Sequence, residues 1–447
     1  FSVMKNYTSA QFMKDIVAGL IVAIIALPLS IALAIASGVN PEQGLYTAII
    51  AGFFISFLGG SRVQIGGPTA AFVVIIYGII AEHGLAGLII ATLMAGVMLI
   101  VMGLLHFGDL IKFIPKTITI GFTLGIAIGI IVGQIKDFLG LNMGPVPAEF
   151  LEKMIAYGHN IGSISYITLG IGALAILIQI FWQKISKKIP GSLVAILVTT
   201  LLVAYFKLPV KTIGDLYTIK AGLPSFSMPT LSFSLIREMM LPAFTIAILA
   251  AIESLLSAVV SDGMIGSKHK SNAELIGQGI GNIMSALFGG IPATGAIART
   301  AANVKNGGRT PVAGMVHALT LLLILLFLMP YASYIPMSCL AGILIIVGYN
   351  MSGWRTFVRM VKTAPKSDIV VLIITFLLTL FFDLVIAIEF GMVLAAFLFL
   401  KRMSDIAEVR QWTYRDPMEE DKLSEEVDLK YVPKNTIVYE IFGALFF

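Results

Sequence analysis

The sequence predicts an all-α membrane protein of fourteen transmembrane segments arranged as two inverted sets of seven. Three observations predict it. Of 447 residues, 58% are hydrophobic and only 12% charged, with a mean hydropathy of +0.95. Apolar runs of roughly 17 to 25 residues recur from Asp15 to Met403, the length a helix needs to cross about 30 Å of hydrocarbon. Secondly, Ile50 to Gly60 (IAGFFISFLGG) aligns without a gap with Ile280 to Gly290 (IGNIMSALFGG), and each is followed by a short segment interrupted by proline. Thirdly, with the N-terminus in the cytoplasm, Lys112/Lys116, Lys184/Lys187/Lys188, Lys268/Lys270, Lys305/Arg309, Arg355/Arg359/Lys362/Lys366 and Lys401/Arg402 all fall on the inner side. That agrees with the positive-inside rule.

Several classes are excluded. Barrel strands would be shorter and would alternate in polarity. The single cysteine, Cys339, excludes a disulfide scaffold or a multi-cysteine metal site. The five histidines lack ligand spacing, and no phosphate-binding lysine loop, zinc motif or Ser/His/Asp hydrolase setting is present. No enzyme activity, cofactor, metal or nucleic-acid partner is expected. The net charge of +5 is what cytoplasmic loops supply.

Residues 1–14 form a cytoplasmic segment, and 15–206 hold the first seven spans. The first, 15–36, contains Pro28, which removes a backbone hydrogen bond and bends the helix. The second covers 44–58. A broken third follows, with Val63-Gln64-Ile65 extended before Gly66-Gly67-Pro68 and a half-helix from Thr69, proline being suited to a first helical turn. The fourth is 84–105, and the fifth carries Gly121, Gly125, Gly129 and Gly133 on one face, a ridge that lets another helix approach. Residues 134–163 read as a loop before spans six and seven. After a polar link, 207–240, the second set occupies 241–403, with spans at 241–261, 273–288, the broken 293–304, 312–329, 332–348, 368–382 and 384–401. The charged stretch 404–434 is a cytoplasmic linker, and 435–447 reads as a single strand opening a further domain.

The stretch Gly289 to Pro311 carries the strongest functional signal. Its middle is small and apolar except for Arg299, and Pro292 and paired glycines bracket it. An intramembrane arginine faces a cavity and a partner. A helix that starts in mid-membrane turns unpaired amides and its positive dipole end toward what precedes it. Paired Gly/Pro-broken segments at corresponding places in two halves point to a transporter binding site at a repeat interface. Together these features describe an anion site.

Glu253 lies inside the eighth span, where a carboxylate can carry a proton, pair with Arg299, or bind sodium with Ser254 and Ser257. Asp262 reads as a helix-end contact, and Asp383 and Glu389 lie at or near the start of the last span.

The run LPLSIALAIASGVNPEQGLYTAIIAGFFISFLGGSRVQIGGPTAAFVVI from Leu27 resembles the amino-terminal signature of the SulP family of sulfate permeases and related anion transporters. IPKTITIGFTLGIAI from Ile114, GGRTP from Gly307 and DLVIAIEFGMVLA from Asp383 match further family segments. The resemblance implies core and gate domains (spans 1–4 with 8–11, and 5–7 with 12–14), a cytoplasmic STAS domain whose first strand resembles VYEIFGALFF, a homodimer, and a place in the plasma or inner membrane. It implies an anion held between the starts of the third and tenth spans, at Pro68, Thr69 and Ala70 and at Ile297, Ala298 and Arg299, with first-span contacts at Leu29 and Leu33. Some relatives carry glutamine at the position of Leu29 and serine at that of Ala298, so this pocket is less polar. Glu253 falls where bacterial relatives place a coupling carboxylate. The implied activity is secondary active transport of a small anion of the sulfate, bicarbonate or dicarboxylate class, by proton symport or, alternatively, sodium-coupled uptake, exchange or channel-like conduction.

Overall fold

The computed structural model describes residues 7–109, 115–186, 189–219, 222–229 and 232–382, together with 390–391, 393–394, 397–398, 408–413 and 437–442. The expected last span, including Asp383 and Glu389, therefore lies largely outside the described residues.

Helix α1 (Ser9–Ala36) starts on Thr8, whose hydroxyl accepts from the Gln11 amide, and contains Pro28. Helix α2 (Pro41–Leu58) opens with proline at its first position, and the Gln43 side chain reaches back to the Asn40 amide at 3.1 Å. After strand β1 (Gly66–Gly67), a 3₁₀ turn at Ala70–Phe72 leads into α3 (Val73–Leu104). Helix α3 carries the third and fourth expected spans. They meet at Gly84, whose φ of 64° and ψ of −167° interrupt the helix.

Next come α4 (Lys116–Gly133), α5 (Ile135–Leu139), α6 (Phe150–Asn160), α7 (Tyr166–Ile185), α8 (Gly191–Phe206), α9 (Ile213–Leu216) and α10 (Phe233–Glu238). The remaining elements are α11 (Met240–Ile265), α12 (Ser271–Leu287), β2 (Thr294–Gly295), α13 (Ile297–Lys305), α14 (Pro311–Leu328), α15 (Met337–Met351), α16 (Trp354–Thr363), α17 (Lys366–Phe381), β3 (Glu408–Thr413) and β4 (Ile437–Phe442).

Six helical stretches among the described residues are long and apolar enough to cross a membrane: Ser9–Ala36, Ala70–Leu104, Lys116–Leu139, Met240–Ile265, Pro311–Tyr334 and Met337–Thr363. Phe150–Ser163 with Tyr166–Trp182, bent by 117°, makes a seventh if the pair is one span. The other expected spans of the first thirteen fall on shorter or less apolar helices, α2, α8, α12, α13 and α17.

Two expectations are corrected. The stretch 134–163 is not a plain loop, because it holds α5 and α6; both are short, and α6 is amphipathic rather than apolar. The strand near the C-terminal end is not single: Ile437–Phe442 pairs antiparallel with Glu408–Thr413, inside the stretch taken as a linker, in register Glu408↔Phe442.

The helices pack in two groups. Helix α12 lies on α3 and α2, α1 lies on α14 and α2, and α11 packs against α3 and α13. Separately, α4 packs on α17 and α15, and α7 on α15 and α8. At the α3–α12 crossing the two backbones touch. A Cβ on Gly96 would stand 2.7 Å from the Gly279 carbonyl oxygen, and one on Gly279 would stand 2.5 Å from the Gly96 carbonyl oxygen. Only glycine at both positions permits that approach. The glycine ridge of α4 divides: Gly121 and Gly125 meet α17 at Leu372, Thr375 and Thr379, Gly129 faces Val74, and Gly133 opens onto space.

Candidate anion-binding site

The two broken segments meet in the interior. Strand β1 pairs antiparallel with β2, Gly66 opposite Gly295 and Gly67 opposite Thr294, and the Ala296 amide donates to the Ile65 carbonyl at 2.9 Å. Extending the gapless repeat alignment matches Ile65 to Gly295 and Gly66 to Ala296. The contact therefore joins corresponding stretches of the two copies in antiparallel sense, Gly66 facing the counterpart of its neighbour Ile65. The extended residues are Gly66–Gly67 rather than Val63-Gln64-Ile65 alone. Helices α3 and α13 each begin within a few residues of this pair, so their N-terminal ends lie next to it in the chain. In α13 the first bond within the helix runs from the Thr300 amide to the Ala296 carbonyl. The amides of Ile297, Ala298 and Arg299 consequently have no intrahelical acceptor, and they carry the positive end of the helix dipole.

Arg299 is 2% exposed. Its Nη2 donates to the Pro68 carbonyl oxygen, so the guanidinium of the second segment is fastened to the start of the first. Nη1 lies over Gly67, where a Cβ would stand 2.6 Å from it; Gly67 also has φ of 147°. Glycine is required there on both counts. Nε has no partner among the described residues.

Glu253 projects from α11, which packs on both α13 and β2. It is partly exposed, and its carboxyl group lies beside the Thr69 hydroxyl at the start of the first broken helix. That hydroxyl makes no hydrogen bond of standard geometry. Among the described residues no ion pair joins Glu253 to Arg299, because the guanidinium is held by Pro68 instead. The pairing expected as one alternative is therefore absent. Ser254 donates to its own helix at the Ala251 carbonyl, and Ser257 donates to Thr300 Oγ1 at 3.3 Å.

The other expected residues border the same place. Leu33 and Ala70 to Val73 share one buried cluster, with Leu29 packed against it. Ile297 is 39% exposed and Ala298 is exposed, at the open face of the α13 start.

A buried polar frame that the sequence reading missed holds the clasp in place. On α12, Glu274, Gln278, Asn282 and Ser285 recur at helical spacing on one face. Glu274 accepts from the Ser61 amide (2.9 Å) and from Gln278 (2.8 Å). Asn282 donates to the Ala293 carbonyl and accepts from the Ala293 amide (2.9 and 2.8 Å), while Ser285 donates to the Ile291 carbonyl. Asn303 donates to Val63, Gln64 to Ser254, and the Ile65 amide to Thr300 Oγ1. The four-residue spacing of polar residues in an apolar span was the available signal. Asp15, fully buried, accepts from Tyr7, Gln11, the Arg309 amide and Thr310, fastening α1 to the loop after α13.

A Ser–His–Asp chain, absent from the sequence reading, closes the turn between α11 and α12. Asp262 Oδ2 lies 2.7 Å from His269 Nδ1, and His269 Nε2 lies 3.1 Å from Ser271 Oγ. Asp262 also accepts from the His269 amide and from Ser267, so the chain acts as the helix-end contact expected of Asp262.

A helical bundle with two half-helices starting from an internal clasp, and an arginine locked across it, has the architecture of a membrane transporter. Residues 12–375 match the model of the Sulfate permease family, and the chain belongs to that family of anion transporters. It is 43% identical over 445 residues to the putative sulfate transporter YvdB of Bacillus subtilis, covering 99% of this chain and 82% of that one. It is 34% identical to the bicarbonate transporter BicA of Picosynechococcus sp., covering 90% and 72%. The solved transmembrane domain of a cyanobacterial bicarbonate transporter BicA superposes with a TM-score of 0.78 at 30% identity, covering 86% of this chain and 98% of that one. These relatives are transporters, not enzymes.

Proposed function

We propose that the protein is a secondary active transporter that takes up a small anion of the sulfate, bicarbonate or dicarboxylate class by proton symport. The observation that carries the reading is the placement of Glu253 beside Thr69, at the helix start that would bind the anion. An ionised carboxylate there competes with an incoming anion for the same positive field, since like charges disfavour each other's ionised form. Protonating Glu253 removes that repulsion, so proton and anion load together and unload together. Pro68, Thr69, Ala70, Ile297, Ala298 and Arg299 bind the anion, mainly through backbone amides and the Arg299 charge, with Leu29 and Leu33 shaping the wall.

The reading includes fourteen spans in two inverted sets, with 15–206 and 241–403 as the repeats, and both termini on the cytoplasmic face of the plasma or inner membrane. The α1–α3 and α11–α14 group moves as a core against the α4–α8 and α15–α17 group in an elevator-like step. The protein acts as a homodimer, with a STAS domain following the last span. The relatives' names favour sulfate and bicarbonate as first substrates to try.

A second reading is sodium coupling, favoured by Ser257 on Glu253's own helix and Thr300 on α13, whose hydroxyl oxygens lie 3.3 Å apart. Uptake of labelled sulfate, bicarbonate and fumarate into proteoliposomes, with proton and sodium gradients imposed separately, decides between them. Accumulation driven by sodium alone would overturn proton symport, and accumulation of none of these anions would overturn the substrate class.

A further inference from the structure

Two cavities of about 490 and 280 Å³ lie between α3 and α4 and are covered by α6 and the segments around it. They meet at Val74, Gly129 and Lys153, which line both. The smaller one reaches Val73, directly after the turn Ala70–Phe72 that opens α3. The smaller cavity thus ends on the first residue of α3, four positions after Thr69.

Lys153 is 9% exposed. Among the described residues its ammonium makes no hydrogen bond and no ion pair; its one recorded contact is with the Tyr77 ring, whose centroid is 5.5 Å from Nζ. Tyr77 is itself fixed, its hydroxyl donating to the Val146 carbonyl. The other charged groups lining the two cavities are Glu82, His83, Glu149, Lys136 and Asp137. His83 is flanked by Glu82 and Glu238 at 3.6 Å each, and Lys136 donates to the Gly144 carbonyl at 2.8 Å. Among the described residues Lys153 thus has an aromatic wall and no counter-ion. A largely buried cation without a partner is unfavourable, and an anion entering the cavity would supply the missing opposite charge. A cation–π contact alone offsets about 0.5–2 kcal/mol of that cost.

We propose that Lys153 is an anion subsite in the vestibule: a small inorganic or carboxylate anion pauses on its ammonium before reaching the amides of the α3 start. The proposal rests on the transport reading above and names where the substrate stands before the central site.

Two measurements on the full chain in proteoliposomes test it. In the first, amines are reductively methylated with formaldehyde with and without sulfate or bicarbonate, ionic strength being held with gluconate, and the extent at Lys153 and at exposed Lys207 is read by mass spectrometry. Either anion should slow modification of Lys153 by about threefold or more and leave Lys207 unchanged. Equal rates at Lys153 overturn the subsite. In the second, Lys153→Gln should raise KM for the transported anion about three- to tenfold with kcat within about twofold, and added salt should shrink the difference. Lys153→Arg should restore KM. An unchanged KM, or a loss in kcat that arginine fails to restore, overturns the proposal. If the parent carries neither anion yet both protect Lys153, the transport reading fails while the subsite stands. If the parent carries them and Lys153 is unprotected, the subsite alone fails.

Discussion

Arg299, in the first turn of the second broken helix, donates from Nη2 to the carbonyl oxygen of Pro68, which opens the first. The guanidinium therefore does two things from one position: it ties the two half-helix starts together and places positive charge between them. Arg299→Ala should raise the apparent Kd for the anion by about tenfold or more, since hydrogen bonds to charged groups contribute about 1.5–3 kcal/mol. Anion-dependent thermal stabilisation in detergent measures this alongside uptake. Normal affinity in the variant would remove Arg299 from the site.

Gly67 is where that arginine lies closest to backbone. Gly67→Ala introduces a Cβ against Nη1 at a positive φ that L-residues rarely adopt, and should sharply reduce uptake. Combining it with Arg299→Ala removes the clash but not the strain, so the double variant should lose less than the sum of the single losses. Strict additivity, measured as initial uptake rates, would mean the two residues do not interact.

The broken segments were legible because glycine and proline interrupt apolar runs in corresponding places, and Arg299 because it is the one basic residue in the middle of the second break. Their antiparallel pairing, Gly66 with Gly295, was not legible: two-residue strands leave no periodicity, and the partners lie more than 200 positions apart. Asp15 looked like a residue at the entrance of a span, and its four donors come from α1's own approach and from the distant loop at Arg309 and Thr310. Helix α6 escaped notice because its eleven residues fall within a polar stretch and its amphipathic pattern spans barely three turns. Long-range hydrogen bonding, not local propensity, decides the strand pairing and the setting of Asp15.

Asp15→Ala deletes a fully buried carboxylate that four donors share. Orphaning buried donors costs about 1–3 kcal/mol, and more where the lost acceptor is charged. The variant should unfold about 2–4 kcal/mol more easily in detergent while keeping the parent's KM in whatever fraction remains folded. A changed KM with unaltered stability would assign Asp15 to the transport pathway instead.

Thr69 and Ala70 separate hydroxyl from amide recognition. The helix start offers its N–H groups whatever side chain stands at Thr69. Thr69→Val should therefore change KM by no more than about threefold, whereas Ala70→Phe, at a buried position in the cluster with Leu33, should abolish uptake. Equal and severe losses would show that the Thr69 hydroxyl contacts the anion directly.

Glu253 is the group by which coupling can be separated from binding. Its carboxyl stands beside Thr69 with no basic partner among the described residues, so its charge is felt by whatever occupies the first helix start. In a symporter built this way, the protonated form accepts the anion and the ionised form repels it, so uptake quickens as the outside is acidified. Glu253→Gln fixes the neutral state: the anion still binds, and exchange of anions present on both sides continues. Accumulation driven by an imposed proton gradient should fall to background, because no proton is carried with the anion, and the rate should lose its dependence on outside pH. Counterflow and gradient-driven uptake measured on the same vesicles read the two steps separately. If the variant concentrates its anion as well as the parent does, Glu253 is a structural neighbour of Thr69 and the coupling ion binds elsewhere.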